Sequence, residues 1–160
     1  MTKNVSQPCC YQLVGVPGSG KSTWVQNQNW ISPEIVVSTD NHVEAYALSQ
    51  KLTYNEVFDD YMKTAVNLMA RDVELLRSSG SDIVWDQTSI SMASRRRKFA
   101  MLPDYRHIAV VFATPDRDEL HRRLNQRPGK LIPPHVINRM INNWDAPEHA
   151  EGFAEIWHVS

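Results

Sequence analysis

The eight residues Gly15-Val16-Pro17-Gly18-Ser19-Gly20-Lys21-Ser22 constrain this chain more than any other stretch. They match G-x-x-x-x-G-K-[ST] in full, a spacing that works as a loop between a strand and a helix. Both flanks agree: residues 11–14 read as a strand, and residues 21–27 open a helix. Gly15, Gly18 and Gly20 let the backbone curl until several N–H groups point inward, Pro17 and Ser19 complete the curl, and the helix N-terminus adds its positive end. Lys21 then reaches the β- and γ-phosphates of a nucleotide, the Ser22 hydroxyl suits Mg²⁺, and Thr23 supports the α-phosphate. The expected ligand is ATP or another nucleoside triphosphate with Mg²⁺. Kinases, ATPases and GTPases share this loop, so it does not choose between them.

The rest of the chain alternates strand-like and helix-like segments, with no repeat and no low-complexity run. Strands are expected at 35–38, 82–85, 106–114 and 155–159 as well as 11–14. Residues 43–49 offer one or two helical turns. Thr53-Tyr54-Asn55-Glu56 is a capping box ahead of a helix with apolar residues at 57, 61, 65, 68, 69, 73 and 76, which Ser79-Gly80 stops. Residues 94–102, 116–127 and those from Pro133 onward read as further helices. This alternation predicts an α/β fold of three layers with a central, mostly parallel sheet of about five strands. Ligands of such sheets bind just beyond the carboxyl ends of the strands. Residues 1–160 are expected to form one domain, with a helical lid at about 116–132.

Composition sets the outer limits. The chain has 160 residues, enough to bury a core without a disulfide or metal staple. Its longest apolar run, residues 108–113, is far too short for a membrane span, and the polar residues 1–12 do not read as a cleaved leader. The adjacent Cys9 and Cys10 build no disulfide framework, so a reducing cytoplasm is expected. A net charge of −1 excludes a polybasic nucleic-acid coat but not a local basic patch. The basic clusters, Arg95-Arg96-Arg97-Lys98 and Arg122, Arg123, Arg127, Lys130, both lie in the second half.

No N-K-x-D reads a guanine, and the acid after the third strand, Asp86, is followed by Gln87 rather than by a second acid. A small kinase needs a carboxylate near the γ-phosphate to take a hydroxyl proton, and arginines to spread the charge of the moving phosphoryl group. Asp40, directly after the second strand, serves either as that base or as a helix N-cap. Arg123 and Arg127 stand four apart beside the Leu120/Leu124 stripe, with Arg122 on the solvent side; they either serve the phosphates or form a solvated basic helix end. Asp86 is a metal-holding acid or a capped turn. The Arg95–Lys98 run tracks a nucleic-acid backbone or is a solvated helix face. The six histidines show no zinc spacing, and Trp24 and Trp85 read as packing residues.

Taken in order, Gly15 to Trp24, Thr39-Asp40 after a strand, Asp86-x-Thr88, and Arg123-x-x-x-Arg127 followed by Pro133 resemble the kinase domain of phage polynucleotide 5′-kinases, over about residues 11–144. The resemblance implies transfer of the ATP γ-phosphate to the 5′-hydroxyl of DNA or RNA, in the host cytoplasm if the chain is phage-encoded. It implies Asp40 as the general base, Lys21 and Arg127 on the transferring phosphate, Arg123 beside them in the lid, and Asp86 near the metal or acceptor. Two positions depart from the family. Val43 stands where an arginine often contacts the acceptor's 3′-phosphate, and Asp86-Gln87-Thr88-Ser89 lacks the family's Asn. The D-x-D-x-T of an associated phosphatase is missing: Asp116-Arg117-Asp118-Glu119-Leu120 has no Thr. Two other readings stand beside this one, a kinase of a small-molecule hydroxyl such as a nucleoside or sugar, and a nucleotide-binding regulatory module. Self-association is left open.

Overall fold

The computed structural model describes residues 6–160. Five strands form one sheet: β1 (Cys9–Val14), β2 (Val36–Val37), β3 (Ile83–Trp85), β4 (Arg106–Phe112) and β5 (Glu155–Val159), in the order β2-β3-β1-β4-β5. Every pairing is parallel. Six α-helices connect and cover them: α1 (Lys21–Gln26), α2 (Thr39–Gln50), α3 (Tyr54–Ser78), α4 (Met92–Met101), α5 (Arg117–Asn125) and α6 (Pro134–Asn142).

The layers follow from the period-2 pleat. On one face Leu13, Val84, Ile108, Val110 and Phe112 pack against Trp24 and Val25 of α1. On the other, Cys10, Ile83 and Trp85 meet Met69 and Val73 of α3 and Leu102 beyond α4. Strand β1 is covered on both faces, so Leu13 and Val14 are fully buried, as parallel central strands require. The expected α/β three-layer fold is the observed one, and all five strands are parallel.

His107 and Gln12, both buried in this core, pair with each other, although Gln12 Oε1 has no partner among the described residues. His107 Nε2 lies 2.8 Å from the Leu102 carbonyl and therefore donates to it, which leaves Nδ1 to accept from Gln12 Nε2 at 3.0 Å. Burial lowers the His107 pKa, in keeping with this neutral ring.

Four sequence expectations need correction. The helix expected at 43–49 runs from Thr39 to Gln50, because Ser38 caps it, its Oγ accepting from the Asn41 N–H at 3.3 Å. Asp40 therefore lies inside the first turn and is not the cap. The helix expected to reach Arg127 stops at Asn125, since Pro128 disfavours helical backbone at the residue before it. Arg123 and Arg127 thus do not share a helix face. In the basic run, Arg95 and Lys98 are 0% and 4% exposed, so they belong neither to a solvated face nor to a surface track; Arg96 and Arg97 alone are exposed.

Candidate active site

The sheet order brings three loops together at one edge. Val37 of β2 is in register with Trp85 of β3, and Trp85 with Gln12 of β1. The residues that follow, Asp40, Asp86 and Gly15, leave adjacent strands at the same end. Backbone bonds tie these loops: the Asp86 N–H donates to the Val37 carbonyl, and the Gly15 N–H to the Thr88 carbonyl, each at 2.9 Å. A cleft of about 2110 Å³ opens over them. It is lined by Pro17 to Thr23, Asp40, Asp86, Arg123 and Arg127, which are all the site residues anticipated from sequence except Gly15. Gly15 acts from beneath, where an added Cβ would stand 2.5 Å from Ser19 Oγ. Gly18 has φ +83, and a Cβ there would meet Leu120 at 2.9 Å. At both positions only glycine fits the curl.

Within the loop the Lys21 ammonium donates to the carbonyls of Gly15 and Val16 at 2.9 and 3.0 Å. Burial pushes its pKa down to about 8, opposed by the charge of Asp86. Burial also raises the Asp86 pKa, while the charge of Lys21 and the nearby Ser22 hydroxyl hold it back. The hydroxyl of Ser22 and the carboxylate of Asp86 both line the cleft beside the lysine. No cluster of three or more His, Cys, Asp or Glu occurs among the described residues. A hard oxygen pair without a protein cage fits Mg²⁺, which keeps most of its ligands as water and phosphate. Ser19 Oγ, buried with no partner, is one more polar group at the phosphate cradle.

Asp40 faces the cleft from the first turn of α2, with its side chain 48% exposed. The Tyr54 hydroxyl donates to its Oδ1 at 2.7 Å, and Lys130 Nζ to its Oδ2 at 3.2 Å. Lys130 also reaches Glu44 Oε1 at 2.7 Å and lies 4.6 Å from the centroid of the Tyr54 ring. Burial and the bond to Asp40 raise the Tyr54 pKa, so it stays a donor. Tyr54, Lys130 and Glu44 were given no role in the site from sequence. The signals were there, a capping box placing Tyr54 first in its helix and a Pro-Gly turn before Lys130, but nothing local connects positions 76 to 90 residues apart.

The arginines divide. Arg123 Nη1 donates to the Gly18 carbonyl at 3.0 Å, and its Nε to Glu119 at 2.7 Å, so it bolts α5 to the phosphate loop. Arg122, on the outer side as expected, pairs with the same Glu119. The two guanidiniums, Arg122 foremost, hold Glu119 down at about 2. Arg127 lines the cleft, and its charge reaches both Lys21 and Tyr54. Val43 is fully buried and faces the core, not the cleft.

Comparison with known proteins agrees with this geometry. The mouse heterogeneous nuclear ribonucleoprotein U-like protein 2 is 22% identical over 156 residues, covering 90% of this chain and 20% of that protein. The chain thus spans about a fifth of the curated relatives it matches. A chain in the Pnkp1/Rnl/Hen1 RNA repair complex is 23% identical, with TM-score 0.69, over 89% of this chain and 46% of that one. A gluconokinase from Sinorhizobium meliloti 1021 is 16% identical, with TM-score 0.55, over 96% of this chain and 82% of that one. At these identities both structures establish the fold. No helix among the described residues is long and apolar enough to cross a membrane. The family model described as "AAA domain" matches residues 11–147, so the chain belongs to that family, as a P-loop kinase-like domain.

Proposed function

We propose that residues 1–160 act as one ATP-dependent kinase unit that transfers the γ-phosphate to the 5′-hydroxyl end of a polynucleotide. The observation that carries this reading is the single cleft that holds both the Lys21 cradle and the Asp40 carboxylate. Asp40 is the general base: Tyr54 fixes Oδ1, and Oδ2, which also accepts from Lys130 at 3.2 Å, takes the proton. As the acceptor oxygen bonds to the γ-phosphorus, the bridging bond to the β-phosphate breaks and ADP leaves. Lys21 and Arg127 compensate the charge on the transferring group, with Arg123 steadying the cradle beneath it. Ser22 and Asp86 would hold Mg²⁺, which when bound neutralises the β- and γ-phosphate oxygens. Pro17, Ser19, Thr23 and the three glycines shape the donor pocket.

Support for a polynucleotide acceptor comes from the likeness to the RNA repair complex, whereas the gluconokinase likeness keeps small hydroxyl acceptors in the test. The test incubates the protein with Mg²⁺, γ-labelled ATP and 5′-hydroxyl RNA, 5′-hydroxyl DNA, nucleosides and sugars in parallel. The label is expected on polynucleotide ends. Asp40→Asn is expected to lower transfer by about 10²–10⁴-fold while ATP binding survives. Label on sugars alone, or normal turnover of that variant, overturns the reading.

A further inference from the structure

Asp40, Glu44, Tyr54 and Lys130 meet in one cluster on the wall of the cleft. Asp40 and Glu44 stand at i and i+4 on α2, so their carboxylates share one face of that helix. Lys130 comes from the turn after α5, and its Nζ donates to both of them, to Asp40 Oδ2 at 3.2 Å and to Glu44 Oε1 at 2.7 Å. The longer of the two bonds is the one to Asp40.

The charges are unequal as well. Two carboxylates face one ammonium, which leaves one negative charge over. The cluster can therefore take up one proton and stay matched, provided Lys130 then pairs with Glu44. The backbone need not move for this. Gly129 and Leu131, on either side of Lys130, are both bonded to Asn55 of α3. A shift from one carboxylate to the other needs only rotation of the four-carbon lysine stem.

The Asp40 side chain is 48% exposed, so water reaches it. Water at a phosphoryl-transfer site competes with the acceptor for the phosphate. An ammonium on Oδ2 fills one of the two positions at which that oxygen accepts hydrogen bonds.

We propose that Lys130 guards the base: without an acceptor it sits on Asp40 Oδ2 and withholds that oxygen from water, and when the acceptor hydroxyl enters it passes to Glu44 and leaves Oδ2 open. This rests on the reading of Asp40 as the general base. The reaction held back is hydrolysis. In it the water oxygen bonds to the γ-phosphorus, its proton goes to Oδ2, the bridging bond to the β-phosphate breaks, and ADP and inorganic phosphate leave. Transfer differs only in the oxygen that attacks. An acceptor hydroxyl is pressed into place by the binding of the rest of its molecule and displaces the ammonium, whereas a single water has no such support. Glu44 is then a positioning residue, the resting place of the lysine while the base carries the proton.

The test measures ADP and inorganic phosphate released from Mg²⁺-ATP by the full chain with no acceptor present. Lys130→Met is expected to raise this hydrolysis about tenfold or more, a part of the roughly 10²–10⁴-fold that a positioned base supplies. Adding Asp40→Asn to Lys130→Met removes the gain. Glu44→Gln leaves Lys130 with Asp40 as its one carboxylate. It is expected to give no rise in hydrolysis and to lower kcat for transfer to 5′-hydroxyl RNA about tenfold, with KM for ATP unchanged. Calorimetric binding of ADP shows that the donor cradle is intact in each variant, and if Lys130→Met binds none, Lys130→Gln takes its place. Hydrolysis at or below the wild-type rate in the lysine variant overturns the proposal, as does a gain that survives Asp40→Asn or that Glu44→Gln reproduces. If Asp40→Asn stops transfer while the lysine variant hydrolyses no faster, the base stands and the guard fails. If hydrolysis rises and no polynucleotide end is labelled, the guard stands and the polynucleotide reading fails.

Discussion

Lys21 illustrates how one residue couples the loop to its ligand. Two carbonyls hold its ammonium at 2.9 and 3.0 Å, and burial brings its pKa to about 8. A polyphosphate beside it stabilises the protonated form and raises that value. The protein alone is protonated at Lys21 below pH 8 and loses the proton as pH rises through 8; the nucleotide complex keeps it to higher pH. Binding therefore takes up a proton above pH 8, and affinity falls there by up to about tenfold per pH unit. Calorimetry of Mg²⁺-ADP at pH 8.5, in two buffers of different ionisation heat, is expected to show that uptake. Lys21→Met abolishes it and Lys98→Met, in α4, does not. A wild type with no uptake contradicts the assignment. Residues such as Lys21, Ser22 and Asp86 were legible in the sequence because their roles are fixed by short spacings around one loop. Lys98 was not legible. Within the run Arg95-Arg96-Arg97-Lys98 nothing but the tertiary packing decides which charges face inward, and the run as written reads as surface.

At the scale of elements, the segment after α5 is docked rather than loose. Asn55, in the first turn of α3, donates from Nδ2 to the Leu131 carbonyl at 2.9 Å and accepts from the Leu131 N–H at 2.6 Å. The Asn55 N–H donates to the Gly129 carbonyl at 3.0 Å. Gly129 has φ +69, and a Cβ there would lie 2.7 Å from Thr53 Cβ, so the turn needs glycine on both counts. This bracket places Lys130 against Asp40. Asn55→Ala removes two hydrogen bonds, about 1 kcal/mol each. Amide exchange at residues 129–132 is expected to rise about tenfold or more, with global stability changed little; unaltered exchange refutes the bracket. Gly129→Ala adds the clash and the backbone strain, and is expected to free the segment further. The sequence marks this turn through Pro128-Gly129 and marks α3 through its capping box, so both partners were visible. Their contact was not, because it joins residues up to 76 apart through one side chain and one backbone bond. The end of α5 was legible in principle from Pro128, yet the helical spacing of Arg123 and Arg127 read two residues too far.

In the whole molecule, the alternation of strands and helices foretold the layered fold, while the order β2-β3-β1-β4-β5 depends on which strands pair and is invisible in any local pattern. The C-terminal segment is held by the pairing of β5 with β4, by bonds at Asp145 and Ala154, and by Arg95. Its guanidinium grips Glu151 with Nε–Oε1 at 2.8 Å and Nη2–Oε2 at 3.1 Å, and Nη1 donates to the Ser89 carbonyl at 2.9 Å. Ser89 has φ 48 and follows Thr88, whose carbonyl receives the Gly15 N–H. The segment around residue 151, the loop after β3 and the phosphate cradle are thereby one connected unit. Glu151→Ala strands a fully buried guanidinium, and a loss of about 3–5 kcal/mol is expected, roughly 10 °C in Tm for a chain of this size. Arg95→Met combined with Glu151→Leu replaces the pair by apolar volume and is expected to recover most of that loss, which separates an unmatched charge from a lost cavity filler. If Glu151→Ala melts like the wild type, the pair carries no stability. If the double variant melts as low as the single one, packing and not charge fixes the C-terminal segment to the site.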